Sequence, residues 1–185
     1  ILTVGAPGSG YEQLDPVLNA AGVVPARPSS QSGHGPQAIA SMLLASMKID
    51  PDSAVPRQLQ PGKVWEDLAV GLAVSNMEHP LWGWSDHRLA WLLDLWRGID
   101  TESLFVLAYC SPTDYVLQRR RTQETLEPAA IQADLRHWQE WHGMLLAYHL
   151  RHLEHTGLVN VGAACADPQA LAQGLQSSWG QQAAL

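Results

Sequence analysis

The chain is poor in the residue types that carry most phosphate and redox chemistry. Of its 185 residues only Lys48 and Lys63 are lysine, and only Cys110 and Cys165 are cysteine. No lysine precedes Lys48, so the G-x-x-x-x-G-K-[ST] loop of nucleoside triphosphatases is excluded. Two cysteines make no disulfide framework and read as free thiols in a cytoplasmic protein. Eleven basic side chains face eighteen acidic ones, a formal charge of −7, which argues against nucleic acid or an anionic membrane as partner. No apolar run approaches the roughly 18 to 20 residues of a membrane span, and the start has no basic region followed by a long apolar stretch, so it is no signal peptide. Internal repeats and low-complexity tracts are also lacking. The first residue is Ile rather than Met, which reads as a trimmed chain, a processed chain or one domain of a longer polypeptide.

Phenylalanine is nearly absent, with one Phe against eight Trp. Indole is large and carries a donor, so some of these rings could line a cleft, but core packing is the favoured reading for most. A length of 185 residues and 46% hydrophobic content suit a single domain, 1–185, with a substantial core.

Periodicity places a short buried strand at residues 1–4, a turn at 5–10 and a helix over 11–21. Residues 22–36 are rich in Pro, Ser and Gly and read as a loop that could cover a site. Helix is expected over 37–47, an irregular stretch over 51–62, and helix again over 64–75. A short strand at 81–84 leads to Asp86, which caps a helix to about Arg97. The apolar run 104–109 is the clearest strand and suits the interior of a parallel sheet. Pro112 opens a helix that runs into Arg119, Arg120 and Arg121, and Pro128 opens a long one ending near His155, where Gly157 stops it. A last strand at 158–161 and a terminal helix from Asp167 and Pro168 complete an α/β sandwich. Its mainly parallel sheet carries the 1–4 and 104–109 strands side by side, with the ligand at their carboxyl ends.

Three segments end an apolar run in a turn: Leu2 to Gly10, Trp84 to Leu89, and Leu104 to Asp114. A strand that delivers small residues into a helix N-terminus gathers free N–H groups and the positive end of the helix dipole, which is an anion site. Taken in order, Pro7-Gly8-Ser9-Gly10-Tyr11, Ser85-Asp86-His87-Arg88 and Cys110-Ser111-Pro112-Thr113-Asp114 resemble the donor-site segments of sulfotransferases that use 3′-phosphoadenosine-5′-phosphosulfate (PAPS). That family has a Pro-[Lys/Arg]-Ser-Gly-Thr loop, a Lys-Asp-Pro-Arg or Lys-x-His segment, and a strand ending in Arg-[Asn/Asp]-Pro-x-Asp. The stretch from Leu135 to His142 is similar to a Trp-rich helix of its bacterial members. The resemblance implies a P-loop NTPase-like sandwich, PAPS as cosubstrate, and a small-molecule, sugar or peptide acceptor carrying a hydroxyl or amine. It places the 5′-phosphosulfate on Pro7, Gly8, Ser9, Gly10 and Tyr11, and the 3′-phosphate near Ser111. It assigns His87 as the base.

The sequence departs from that pattern at its cations. Gly8, Ser85 and Cys110 stand where the family has lysine or arginine, Gln118 falls at the place of a phosphate-binding serine, and Glu12 adds a carboxylate to the first turn. Arg119, Arg120 and Arg121 could serve as a substitute clamp, Arg119 foremost, although a charge run most often marks a solvated face. His87 has a second reading, a half-exposed histidine beside Asp86 in a helix first turn. His142, His149 and His152 share a helix face but have no Cys or H-E-x-x-H companion, so a solvated face is preferred to a metal site. Trp138, Trp141, Leu145 and Tyr148 read as the buried stripe of that helix. The acceptor is expected among Trp82, Trp84 and the 22–36 loop. A sulfotransferase-fold domain without catalysis, acting as a ligand-binding or interaction module with a partner domain or protein, is the alternative to an active transferase.

Overall fold

The computed structural model of the protein describes residues 1–121 and 127–179, without the side chains of 176–179. Five strands, β1 (Leu2–Gly5), β2 (Val24–Pro25), β3 (Trp82–Ser85), β4 (Phe105–Tyr109) and β5 (Thr156–Asn160), form one sheet in the order β2-β3-β1-β4-β5. Every pairing is parallel, and β1 lies against β4 with Leu2 opposite Phe105 and Gly5 opposite Ala108. The expected neighbouring strands are thus adjacent, and the turns that follow them emerge side by side.

Helices cover both faces, as a parallel sheet requires. On one face α2 (Pro36–Ser46), α3 (Lys63–Val74), α4 (Leu93–Ile99), α5 (Pro112–Arg119) and α6 (Pro128–Arg151) pack on Leu2, Val4, Phe105 and Leu107. On the other, α1 (Asp15–Ala20), α7 (Val161–Ala166) and α8 (Pro168–Trp179) pack on Leu104, Val106 and Ala108. The alternation along β4 therefore feeds two cores, which is why its sequence is apolar without interruption. Val4, Phe105 and Leu107 are completely buried. Among the described residues no helix is long and apolar enough to cross a membrane.

Four local expectations need correction, and one element was not expected; first, the helix expected from Asp86 to about Arg97 is a 3₁₀ turn (His87–Trp91) followed by α4. The 22–36 loop contains β2, a two-residue edge strand too short to leave a pattern, with Pro25 tolerated at the edge. The first helix is split into a 3₁₀ turn (Tyr11–Leu14) and α1, because Pro16 has no N–H to continue the ladder. Gly157 does not stop the long helix. That helix ends at Arg151, the Thr156 hydroxyl donates to the His152 carbonyl at 2.7 Å, and Gly157 lies in β5 opposite Val106. The short α7 was not anticipated; Asn160 caps it by accepting from the Ala163 amide at 2.9 Å.

The chain leaves β1 toward β2 on one side and leaves β4 toward β5 on the other. Adjacent strands whose connections diverge open a crevice at their carboxyl ends, where ligands of open α/β sheets bind. Here it lies between the 5–10 turn and Cys110.

Candidate functional site

The 5–10 turn is closed by the Ser9 amide donating to the Ala6 carbonyl at 2.9 Å. Gly8 and Gly10 have φ of +84° and +79°, left-handed conformations that exclude most other residues. Space is as restrictive as torsion. A Cβ on Gly5 would stand 2.7 Å from Ser9 Oγ and 2.8 Å from Tyr11 Cβ, so the strand end is pressed against its own turn. Ser9 is 3% exposed, and its hydroxyl has no hydrogen-bond partner among the described residues. A buried hydroxyl without a partner costs about 1–3 kcal/mol, which a bound acceptor atom would recover.

Arg119 supplies the positive charge that the turn itself lacks. Its stem lies over Gly8, where a Cβ would meet Arg119 Cγ at 3.0 Å, and its guanidinium donates to the Pro7 carbonyl at 3.4 Å. The same guanidinium donates to Asp134 Oδ1 at 3.1 Å, while Arg120 donates to Asp134 Oδ2 at 2.6 Å. Asp134 is buried on α6, and its one carboxylate receives both arginines. Arg119 and Arg120 are thus anchored to a buried carboxylate, although Arg119, like Arg121, remains exposed. Asp134 is the member that sequence reasoning missed, since nothing in a lone acid on a helix announces that it is buried against arginines of the preceding helix.

Beside this turn is a cavity of about 380 Å³, open between α5 and α7. Ser9, Gln13, Cys110, Asp114, Gln118 and Arg121 line it, which brings the first and third sequence segments together. Ser111 is not part of that lining. Its hydroxyl accepts from the Asp114 amide at 3.0 Å and donates to Asp114 Oδ2 at 2.7 Å, so it is spent as the cap of α5. The Cys110 carbonyl accepts from Trp138 Nε1 at 3.0 Å, and burial pushes its thiol up to about 11, leaving it protonated.

His87 follows β3 at the start of a 3₁₀ turn (His87–Trp91) that Asp86 caps by accepting from the Arg88 amide at 2.9 Å. Tyr11 reaches it from the first segment: Tyr11 Oη is 3.2 Å from His87 Nδ1 and accepts from the His87 amide at 3.2 Å. His87 is mostly buried, with Nε2 unbonded and Asp52 Oδ1 3.5 Å away. The structure therefore joins the first segment to the second through the Tyr11 side chain.

Trp84 stacks on Trp82 and sets its edge against Trp96 at 4.9 Å between ring centres, so its indole belongs to the core instead of a binding surface. A separate cavity of about 160 Å³ touches Trp84, Ser85, Pro25, Ala26 and Gln37 on the α1 side. His142, His149 and His152 are half-buried, His152 with its ring centre 4.5 Å from that of Tyr148. His142 donates from Nδ1 to the Trp138 carbonyl at 2.8 Å, and His149 Nδ1 lies 2.8 Å from Thr156 Oγ1. No group of three or more metal-ligating side chains forms among the described residues. Trp141, Leu145 and Tyr148 are buried as a stripe, with Trp138 at its margin.

Burial holds His87, His137 and His142 below the ordinary histidine pKa. A depressed histidine binds fewer protons folded than unfolded, so stability rises with pH between the folded value and about 6.5, and falls on acidification through that window. Denaturant midpoints are expected to drop as pH is lowered from 7 toward 5, with a smaller drop in H142N. A midpoint independent of pH over that range would show that these rings titrate freely.

Comparison of the chain with models of known protein families and with curated proteins finds no match.

Proposed function

We propose that the chain is a sulfotransferase-like protein that binds PAPS at the carboxyl ends of β1 and β4 and transfers its sulfuryl group to a hydroxyl or amine acceptor. The observation that carries this reading is the seating of Arg119 over Gly8. The turn has the glycine conformations, the buried unpartnered Ser9 hydroxyl and the helix-start amides of a phosphate cradle, and its missing cation arrives from α5. The neighbouring cavity, lined by Ser9, Gln118 and Arg121, extends the cradle toward a second phosphate. In the reaction the acceptor oxygen forms the new bond to sulfur as its proton passes to His87. The bond from sulfur to the bridging phosphate oxygen breaks, and its electron pair leaves with adenosine bisphosphate. Electrostatic stabilisation of that leaving oxygen is the principal demand on the protein.

The test uses 3′,5′-adenosine bisphosphate, which carries both phosphates and needs no turnover. At 100 times its Kd it is expected to stabilise the protein by about 2.7 kcal/mol, about 5–10 °C in melting temperature for a chain of this size. R119A removes a charge-assisted contact worth about 1.5–3 kcal/mol, so the Kd rises about 10- to 150-fold, with R119K recovering part of it. A melting temperature unmoved by the bisphosphate at any concentration would remove this reading.

A second reading is favoured by Gly8 and Ser85, which leave the chain without either family lysine, and by the carboxylates Asp52, Asp86 and Glu12 around His87. In it the scaffold binds a ligand or a partner protein and performs no transfer. Bisphosphate binding without turnover across hydroxyl and amine acceptors is its expected signature.

A further inference from the structure

We propose that Tyr11 is a positioning residue that holds His87 as its Nδ1–H tautomer, so that Nε2 is the atom that receives the acceptor proton. This rests on the reading of His87 as the base. One phenol oxygen serves both the ring and the backbone of the same residue: the His87 amide donates to Tyr11 Oη at 3.2 Å, and His87 Nδ1 is 3.2 Å from it. Because Tyr11 ends the 5–10 turn, the donor cradle and the base are tied by a single side chain, with ring centres 6.4 Å apart.

Counting donors and acceptors selects the tautomer. A phenol has one proton and two acceptor positions, of which the His87 amide uses one. The second acceptor position then faces Nδ1 and takes an N–H from it. The opposite tautomer places a buried N–H on Nε2, which has no hydrogen-bond partner among the described residues, Asp52 Oδ1 lying 3.5 Å away. Asp86 Oδ1 is 3.7 Å from Nδ1 but is already engaged by the Arg88 amide and by its guanidinium at 2.7 Å. The charged groups facing the ring are therefore Asp86, Asp52 and Glu12 against Arg88, and none of the carboxylates displaces Tyr11 as the partner of Nδ1.

The measurement is long-range ¹H–¹⁵N correlation on the histidine-labelled chain at pH 8, with the His87 signals assigned by their loss in H87Q. The wild type is expected to show a protonated Nδ1 and an unprotonated Nε2. Y11F, its fold checked by the remaining histidine signals, is expected to move the proton to Nε2 in most molecules. In turnover it lowers kcat and leaves the acceptor KM unchanged. A wild-type ring protonated at Nε2, or a tautomer unchanged by Y11F, overturns the proposal. Both results come from the free chain, so they are read separately from bisphosphate binding, which decides the reading beneath them.

Discussion

If the chain transfers sulfuryl groups as proposed, replacing His87 with alanine is expected to slow the transfer about 10²- to 10⁴-fold, the usual range for a lost general base, while adenosine bisphosphate still stabilises the variant. Binding is expected to survive because Ser9 and the turn amides lie in the first segment and Arg119 on α5, with Tyr11 as the side chain that touches His87. The pH dependence has a definite sign. Burial is the largest influence on the imidazole and lowers its pKa, Arg88 acts in the same direction, and Asp86, Asp52 and Glu12 oppose them. The neutral, proton-accepting ring therefore prevails at pH 7, and kcat/KM falls only as pH drops below the ordinary histidine value of about 6.5. Absolute rates are expected to be low. Each absent electrostatic donor costs about 10²–10³ in rate, and Arg119 answers for one of the two lysine positions that Gly8 and Ser85 leave empty. Equal kcat in the wild type and H87A would remove histidine from the chemistry.

Trp141→Ala is expected to cost about 3–5 kcal/mol, the range for truncating a buried large aromatic. Trp141 is fully buried, its ring edge-on to Trp91 with centres 5.4 Å apart, at the point where α6 meets the core of the sheet. Its Nε1 has no hydrogen-bond partner among the described residues, so the indole contributes area and not a polar contact. Trp141→Phe keeps most of the ring and removes an unpaired donor, and its loss is expected to stay below about 1.5 kcal/mol. Equilibrium urea unfolding of the two variants gives the comparison. An alanine variant within about 1 kcal/mol of wild type, or a phenylalanine variant as unstable as the alanine one, would show that this position is not the packing anchor of α6.

The layered α/β architecture was legible without coordinates because it is written in local physics. The uninterrupted apolar run of β4 has nowhere to go but a sheet covered on both faces, and Pro112 and Pro128 mark helix starts. Short elements escaped for the same reason. β2 and α7 span two and six residues, too few for a period to repeat, and their existence depends on partners far along the chain. Gly157 looked like a helix stop because glycine usually is one, whereas pairing with β4 places it in a strand.

At the candidate site the division runs between residue types and pairings. The sequence alone determined which segments carry a turn, a histidine and a cap, and that the turn lacks a cation. Only the tertiary structure decided that Arg119, 111 residues after Gly8, lies over it, that Asp134 holds Arg119 and Arg120 there, and that Tyr11 faces His87 across 76 residues. Such pairs arise from the order in which strands enter the sheet. Strand order is a property of the whole packed core, and no local run of residues encodes it.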